Sequence, residues 1–343
     1  MDLRPVLTAA LLVGGMGLVF GALLAIVGQI FRVEEDPKKA EVRACLPGAN
    51  CGGCGYAGCD AYAEQVASGK AAVDRCPVGG DAVAQKIAEA MGVEVGRQEK
   101  RIATVRCRGS LGRCQLRFEY DGPEDCKSAA LVAGGDKACE YSCLGYGDCV
   151  AACPFGAVHV VEGRLAEVDA GKCVGCGVCI TACPRGVLQL VAASQPVHST
   201  CSAHLGGKVV RDACDAGCIG CGKCGRACKF GAVRMVDSLP EFDFAKCRGC
   251  MQCVDACPTG AIMASDGMRR HAVIDYTGCT GCGGCQAACP FGAIAGTGEG
   301  KRSIIEWNCT GCGLCAEACT HGCVQLVRGG ALALKHPGQA AGK

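Results

Sequence analysis

Cysteine is the residue type in this chain whose number and spacing indicate chemistry, because thiolates bind metals. The 343 residues include 35 Cys and 53 Gly, both far above their usual shares. The spacing Cys-x2-Cys-x2-Cys-x3-Cys recurs five times from residue 173 onward. With this spacing three close thiolates can hold one [4Fe–4S] cluster while the fourth reaches a neighbouring cluster. The repeats therefore predict pairs of iron–sulfur clusters.

Zinc is the alternative metal for closely spaced cysteines. A structural zinc site uses two separated Cys-x2-Cys hooks, which together supply four tetrahedral ligands. Here three cysteines at a spacing of three are followed by a fourth. This pattern favours iron–sulfur clusters, and Pro184, Pro258 and Pro290 directly after the fourth cysteine match the bacterial ferredoxin run.

The regular motifs predict five four-cysteine sites if each fourth cysteine binds the neighbouring cluster of a pair. We name each site after the third cysteine of its motif. They are the Cys179 site (Cys153, Cys173, Cys176, Cys179), the Cys224 site (Cys218, Cys221, Cys224, Cys257), the Cys253 site (Cys228, Cys247, Cys250, Cys253), the Cys285 site (Cys279, Cys282, Cys285, Cys319) and the Cys315 site (Cys289, Cys309, Cys312, Cys315).

The first copy of the motif is degenerate. The cysteine separations from Cys126 to Cys153 repeat those from Cys201 to Cys228, so the two segments align as a duplication. In this register Tyr146 occupies the place of a cysteine, and Cys139 is the nearest thiol that could replace it. We therefore predict a sixth site, the Cys149 site, from Cys139, Cys143, Cys149 and Cys183.

A Gly-rich segment nearer the N-terminus predicts a seventh, separate site. The Cys51 site comprises Cys51, Cys54, Cys59 and Cys76, and its glycines allow backbone amides to approach the sulfurs. Seven [4Fe–4S] clusters use 28 cysteines. The others are either buried thiols or, in part, an eighth cluster of Cys107, Cys126, Cys201 and Cys214; the full set is Cys45, Cys107, Cys114, Cys126, Cys201, Cys214 and Cys323.

Composition predicts several small modules instead of one large core. The chain has only 15 aromatic residues, and its 50% hydrophobic share includes the cysteines. We predict an α+β chain with an N-terminal transmembrane helix, a small Gly/Cys-rich module and tandem two-cluster ferredoxin-type domains. The predicted boundaries are 1–31 for the membrane helix, 32–44 for a charged linker, 45–95 for the single-cluster module, 96–200, 201–268 and 269–330 for three ferredoxin-like domains, and 331–343 for a flexible tail.

The segment from Val6 to Phe31 carries no charged residue. As a helix it would extend about 39 Å, enough to span a hydrocarbon layer of about 30 Å. A cleaved signal peptide is the alternative, but the apolar run is too long and no small-residue cleavage site follows it. More basic residues flank its C-terminal end than its N-terminal end, which predicts a single-pass protein of the cytoplasmic membrane with its clusters in the cytoplasm. Thiols there stay reduced, so metal explains the cysteines better than disulfides do.

Several functional classes are excluded. A net charge of +2 without an aromatic-interleaved basic stripe argues against nucleic-acid binding. The segment from Gly220 to Gly225 matches a dinucleotide fingerprint, but its variable positions include cluster cysteines, so no nucleotide site is expected. The chain is expected to carry electrons and to leave two-electron chemistry to partners.

One short segment is strongly basic. It could attract an acidic electron donor by long-range electrostatics, or it could simply be a solvated or subunit-facing strand. Its seven basic residues are Arg97, Lys100, Arg101, Arg106, Arg108, Arg113 and Arg117.

The chain resembles the B subunits of Rnf complexes, which are membrane-bound ferredoxin:NAD oxidoreductases that move Na⁺ or H⁺. The resemblance is carried by the N-terminal apolar segment and by the runs 46–59, 74–80 and 143–157, and it extends to about residue 265. Residues 279–319 look like an additional ferredoxin pair that shorter relatives lack.

The resemblance implies a membrane subunit that accepts electrons from soluble reduced ferredoxin. Its clusters would relay them to other membrane subunits, and NAD would be reduced elsewhere in the complex. Two alternatives stay open: a polyferredoxin subunit of another membrane complex such as a hydrogenase, and an iron–sulfur scaffold without a redox partner. The Gly-rich Cys51 module beside a single membrane helix favours the Rnf family, and paired motifs argue against a scaffold.

Overall fold

A computed structural model describes residues 4–30, 36–265, 267–297 and 300–328. The predicted tail 331–343 and the start of the predicted linker lie outside these residues. Contacts divide the chain into two units. Unit 1 contains residues 1–50 and 56–96, and unit 2 contains residues 51–55 and 97–343.

Unit 1 is helical where it is described. Its helices are α1 (Arg4–Ile30), α2 (Pro37–Cys45), α3 (Cys59–Ala67) and α4 (Gly80–Met91). Among the described residues α1 is the one helix long and apolar enough to cross a membrane, with a mean hydropathy of 2.0 over Leu12–Gln29. Its side chains from 12 to 29 are exposed, which fits a helix whose surroundings are lipid or other subunits.

The charged segment interpreted as a linker contains helix α2. Asp36 caps this helix, because its carboxylate accepts a hydrogen bond of 2.9 Å from the backbone N–H of Lys38. The guanidinium of Arg43 then donates to the carboxylate of Asp60 in α3 at 2.7 Å, and Val42 is fully buried. From residue 37 onward the segment is therefore part of the packed helical module.

Unit 2 is built from short helices and six two-stranded antiparallel sheets in its described residues. In chain order its elements are β1 (Arg101–Val105), α5 (Cys126–Leu131), α6 (Asp148–Ala151), β2 (Val158–Val161), β3 (Leu165–Val168), α7 (Val178–Ala182), β4 (Leu188–Ala192), β5 (Val197–Ser199), α8 (Gly207–Ala213), α9 (Lys223–Ala227), β6 (Val233–Val236), β7 (Leu239–Phe242), α10 (Gln252–Asp255), β8 (Ile262–Ala264), β9 (Arg270–Ile274), α11 (Gly284–Ala287), β10 (Ile294–Gly296), β11 (Arg302–Ile304), α12 (Leu314–Glu317) and β12 (Val324–Arg328).

One arrangement of strands repeats three times along unit 2. In each repeat an outer pair of strands (β1–β4, β5–β8, β9–β12) encloses an inner hairpin (β2–β3, β6–β7, β10–β11). A short helix lies on each side of the hairpin and carries the third cysteine of a motif. Strand β5 ends at Ser199, before the predicted boundary at residue 200, yet it pairs with β8 of the second repeat. The second repeat therefore begins earlier than the sequence indicated.

Cysteines make up much of the buried surface. In the first repeat Cys143, Cys149 and Cys179 are buried together with small apolar residues such as Ala103 and Val158. The cores of the other repeats have the same composition. Apolar side chains of this size give each repeat only a small hydrophobic core, so cluster ligation must supply much of its stability.

A glycine just before the second cysteine of a motif lies against a crossing strand. A Cβ atom at Gly175 would lie 2.4 Å from the carbonyl oxygen of Arg101, and one at Gly311 would lie 2.1 Å from that of Arg270. Both glycines have positive φ angles. The close approach of the cluster loop to the outer strand therefore requires glycine at this position.

Gly175→Ala is expected to weaken the first repeat much more than Gly177→Ala. Both residues have positive φ, so each substitution costs about 1–2 kcal/mol of backbone strain. Only Gly175 also faces a backbone atom, because the nearest atom to a Cβ at Gly177 is a side-chain carbon of Leu190 at 3.7 Å. The measurement is the rate at which cluster absorbance is lost in guanidinium. Equal rates for the two variants would contradict the proposed strand contact.

Candidate iron–sulfur sites

Four cavities of unit 2 are each lined by four cysteines. Two of them bring together the four cysteines predicted for the Cys253 and Cys315 sites. The four cysteine sets are Cys228, Cys247, Cys250 and Cys253; Cys289, Cys309, Cys312 and Cys315; Cys126, Cys143, Cys149 and Cys183; and Cys107, Cys139, Cys201 and Cys214.

The thiols surround these cavities without meeting at one point. Within the described residues, no three His, Cys, Asp or Glu side chains converge on a single metal-ion position. Zinc would require such convergence, since its four ligands bind one ion. A [4Fe–4S] cluster has four irons, each of which takes its own thiolate. Separated thiols around one cavity therefore suit a cluster better than a single ion.

In three further sites the predicted thiols lie near one another. Burial raises the pKa of Cys179, and the nearby thiols of Cys173, Cys176 and Cys153, the other members of the Cys179 set, raise it further. In the Cys224 site Cys218 interacts with Cys257 and Cys224, and Cys224 also interacts with Cys221. In the Cys285 site Cys285 interacts with Cys319 and Cys279, while Cys282 is exposed.

The Cys149 site differs from the sequence prediction in one residue. Cys126 lines its cavity with Cys143, Cys149 and Cys183, whereas Cys139 lines a different cavity. The backbone of Cys139 is held in a turn, because its carbonyl accepts two hydrogen bonds from Ser142. The backbone amide of Ser142 donates at 3.0 Å and the Ser142 hydroxyl donates at 2.7 Å. Proximity in sequence to Cys143 therefore does not place the Cys139 thiol in this site.

A carboxylate on the neighbouring helix holds the backbone of Cys126 beside the Cys149 site. Asp148, the first residue of α6, accepts hydrogen bonds from the backbone N–H of Cys126 at 2.8 Å and of Lys127 at 3.2 Å. The N-terminus of α5 is thus fixed beside Cys149. Asp125 caps the same helix, with a 2.7 Å bond from the Ser128 amide.

Tyr146, at the position of the missing cysteine, has a structural role. Its hydroxyl donates a hydrogen bond to Asp136 at 3.2 Å. The guanidinium of Arg164 lies 4.1 Å from the centre of the Tyr146 ring and also bonds Asp136 at 2.8 Å. Sequence reasoning could have considered Cys126 from its place in the duplication, but no local signal distinguishes it from Cys139.

The residues of the predicted Cys51 site are divided between the two units. Cys51 and Cys54 belong to unit 2, whereas Cys59 and Cys76 belong to unit 1. In unit 1 the carboxamide oxygen of Asn50 accepts a hydrogen bond of 2.8 Å from the backbone N–H of Cys59. In unit 2 the loop 51–55 lies against the Cys179 site, since a Cβ at Gly53 would lie 2.8 Å from the carbonyl oxygen of Cys176.

Burial keeps many of these thiols protonated in the absence of iron. Burial raises the pKa of Cys149 and of Cys253 to about 12, and that of Cys315 to about 11. Cysteine binds iron as the thiolate, so cluster assembly must release these protons. The buried cysteines are therefore unreactive as free thiols.

Most side chains of the basic segment form hydrogen bonds within unit 2. The guanidinium of Arg108 donates to the carbonyl of Gly260 at 2.9 Å, and that of Arg117 donates to the carbonyl of Gly135 at 2.6 Å. These bonds favour a structural role over donor docking for the segment. The residues that donate to backbone carbonyls are Lys100, Arg101, Arg106, Arg108 and Arg117.

Family models match nearly all of these motifs. An Fe-S cluster family matches residues 46–78, and a 4Fe-4S binding domain matches 165–188. Three 4Fe-4S dicluster domains match 217–262, 246–293 and 271–320. The chain thus carries several ferredoxin-type 4Fe-4S domains and one further iron–sulfur module.

Curated relatives share more of the chain. The B subunit of the Na⁺-translocating ferredoxin:NAD⁺ oxidoreductase complex of Acetobacterium woodii is 43% identical over 62% of this chain and 64% of its own length. The B subunit of the ion-translocating oxidoreductase complex of Methanosarcina acetivorans is 42% identical over 68% and 88%. The B subunit of the proton-translocating ferredoxin:NAD⁺ oxidoreductase complex of Clostridium ljungdahlii is 43% identical over 59% and 72%.

Among solved structures, a formate dehydrogenase, heterodisulfide reductase and formylmethanofuran dehydrogenase complex from Methanospirillum hungatei is similar over 53% of this chain and 74% of the matched chain. The identity is 21% and the TM-score is 0.24, too low to show a common fold. The assignment comes from the sequence relatives instead. This chain belongs to the family of Rnf complex B subunits, which are also named B subunits of ion-translocating oxidoreductase complexes.

Proposed function

We propose that this chain is the membrane-anchored electron-transfer subunit of an ion-translocating ferredoxin:NAD oxidoreductase. It accepts electrons from soluble reduced ferredoxin and passes them through its [4Fe–4S] clusters to the other membrane subunits. The observation that carries the proposal is the sequence of neighbouring four-cysteine sites along unit 2. The names of the relatives supply the donor and the complex.

Neighbouring sites lie near one another at two places in unit 2. Burial raises the pKa of Cys176 in the Cys179 site, and nearby thiols that include Cys51 raise it further. Burial likewise raises the pKa of Cys250 in the Cys253 site, and nearby thiols that include Cys312 of the Cys315 site raise it further. Contacts between the second and third repeats support the second of these: the ring centres of Phe230 and Phe291 lie 6.3 Å apart. One-electron carriers placed side by side in this way can act in series.

Each quartet around a cavity would hold one cluster, with every sulfur bound to one iron. The cluster supplies a one-electron redox centre, and the chain's own residues position and shield it. For the Cys149 site we propose Cys126 as the fourth ligand in place of Cys139, because Cys126 lines that cavity. The Cys51, Cys179, Cys224, Cys253, Cys285 and Cys315 sites keep the ligands that their motifs predict.

Helix α1 would anchor the chain in the cytoplasmic membrane, with the cysteine sites in the cytoplasm. Its apolar length supports a span, and the basic residues after it support this orientation. The tandem two-cluster ferredoxin domains, with boundaries moved to β5 and β9, are supported by the threefold repeat of outer and inner strand pairs.

Cys126→Ser should disturb one cluster, since it removes a proposed ligand of the Cys149 site. The expected result is a three-iron cluster signal in the EPR spectrum of the oxidised protein, or the loss of about four irons per chain. Cys45→Ser is the matched control, because Cys45 ends helix α2 and lines none of the four cavities described above. A Cys126→Ser protein with unchanged EPR and iron content would contradict the assignment.

Cys179→Ala tests serial transfer in the assembled complex. It removes a proposed ligand of the site next to Cys51, so ferredoxin-dependent NAD reduction should fall at least about tenfold. Iron in the second and third repeats should remain, because those repeats have their own cores. Cys45→Ala, at a cysteine outside the proposed sites, is the control. Transfer at the parental rate in the Cys179→Ala complex would exclude a serial path through this site.

A further inference from the structure

One cavity is lined by Cys107, Cys139, Cys201 and Cys214. It shares three cysteines with the eighth set considered from the sequence and has Cys139 in place of Cys126. Like the Cys149, Cys253 and Cys315 cavities, it is lined by four cysteines. We propose that this cavity, the bridging site, binds an eighth [4Fe–4S] cluster. The inference rests on the proposed function only in taking the regular motifs as cluster sites.

The sulfur of Cys107 has the hydrogen bonds of a cluster ligand. It accepts backbone N–H bonds from Gly109 and from Cys143, both at 3.3 Å. Ligands of the regular motifs have the same kind of bond: Cys173 accepts one from Ala103 at 3.3 Å, and Cys309 accepts one from a backbone amide at 3.4 Å. Such N–H···S bonds stabilise a thiolate and tune the potential of its cluster.

A glycine keeps space open between the sulfurs. A Cβ at Gly109 would lie 3.5 Å from the sulfur of Cys107 and 3.6 Å from that of Cys214. It would also lie 3.1 Å from the Cβ of Cys114, a thiol next to Cys214 that does not line the cavity. The approach of the backbone to two cavity sulfurs is the geometry that lets amides contact a cluster.

Buried polar atoms around the cavity suit an anionic group. Lys137 is fully buried, and its ammonium donates to the carbonyls of Gly109 at 2.8 Å and of Arg164 at 2.9 Å. Its charge interacts with thiols that include Cys107 and Cys143. A buried ammonium requires a compensating negative charge, which a thiolate-ligated cluster on either side would supply.

Two further polar atoms support this assignment. Among the described residues, Arg106 Nε and Thr200 Oγ1 are buried without a hydrogen-bond partner, and both residues line the cavity. Thr310 Oγ1 is also buried without a partner beside the Cys315 cavity, which has a complete ferredoxin-type motif. Buried donors without partners are costly in folded proteins, and the sulfurs of a cluster would accept from them.

The position of the bridging site gives it a role in electron transfer between two neighbouring sites. Cys107 lies against Cys143 of the Cys149 site, through the 3.3 Å bond described above. On the other side Cys201 belongs to a buried cluster against which Cys218 of the Cys224 site packs. The bridging site thus lies between the first and second repeats. Because electron tunnelling weakens steeply with distance, a cluster here would shorten the steps between the Cys149 and Cys224 sites.

The test compares the iron and sulfide content of full-length chains reconstituted without oxygen. The unsubstituted chain should carry about 32 irons, four for each of eight clusters. The double variant Cys107→Ala/Cys201→Ala should lose about four irons and four sulfides. Cys45→Ala, which removes a thiol that does not line the cavity, should lose none.

Equal iron contents in the double variant and the unsubstituted chain would overturn the proposal, as would equal losses in the control. If the double variant loses most of its clusters through misfolding, the unsubstituted chain decides: about 28 irons would overturn the bridging site and about 32 would support it. Reduction of the unsubstituted chain by reduced ferredoxin is scored separately. Failure there would contradict the proposed function and leave the iron count unaffected.

Discussion

The structure depends on one constraint: four thiolates must surround each cubane, each facing its own iron. This requirement brings together cysteines from both sides of a repeat, such as Cys289 with Cys309, and so closes the fold across its hairpins. The chain has few aromatic residues to form an apolar core. Metal ligation therefore replaces much of the packing that would stabilise a domain of ordinary composition.

Backbone geometry follows from the same constraint. The cluster loops must pass close to the outer strands, and only a residue without a Cβ fits where Gly175 and Gly311 contact backbone carbonyls. Directly after the second cysteine of the motif, glycines such as Gly177 adopt the left-handed conformation that begins the short helix bearing the third cysteine. The high glycine content is thus a structural requirement of these cysteine motifs and does not indicate that the chain is flexible.

The junction of the first two repeats contains buried charged side chains. Asp136 is buried against Arg164. Burial alone would raise the pKa of Asp136, but the hydrogen bonds and positive charge of Arg164 lower it below the usual range. Lys137 lies next to this pair, among thiols. Removing one partner of such a network leaves a buried charge uncompensated. At this junction Arg164 compensates the charge of Asp136, and the proposed cluster would compensate that of Lys137.

The sequence alone determined the cluster type and the family, and it predicted the cysteine groupings, because ligand spacing within a motif is local and repeats along the chain. It also indicated the apolar helix α1. Tertiary structure decided the rest: a carboxylate 22 residues away places Cys126 in the Cys149 site, and a turn directs Cys139 to another cavity. Likewise the pairing of β5 with β8 fixes where the second repeat begins. Spacing cannot encode these outcomes, since they depend on hydrogen bonds between segments that meet only in the folded chain.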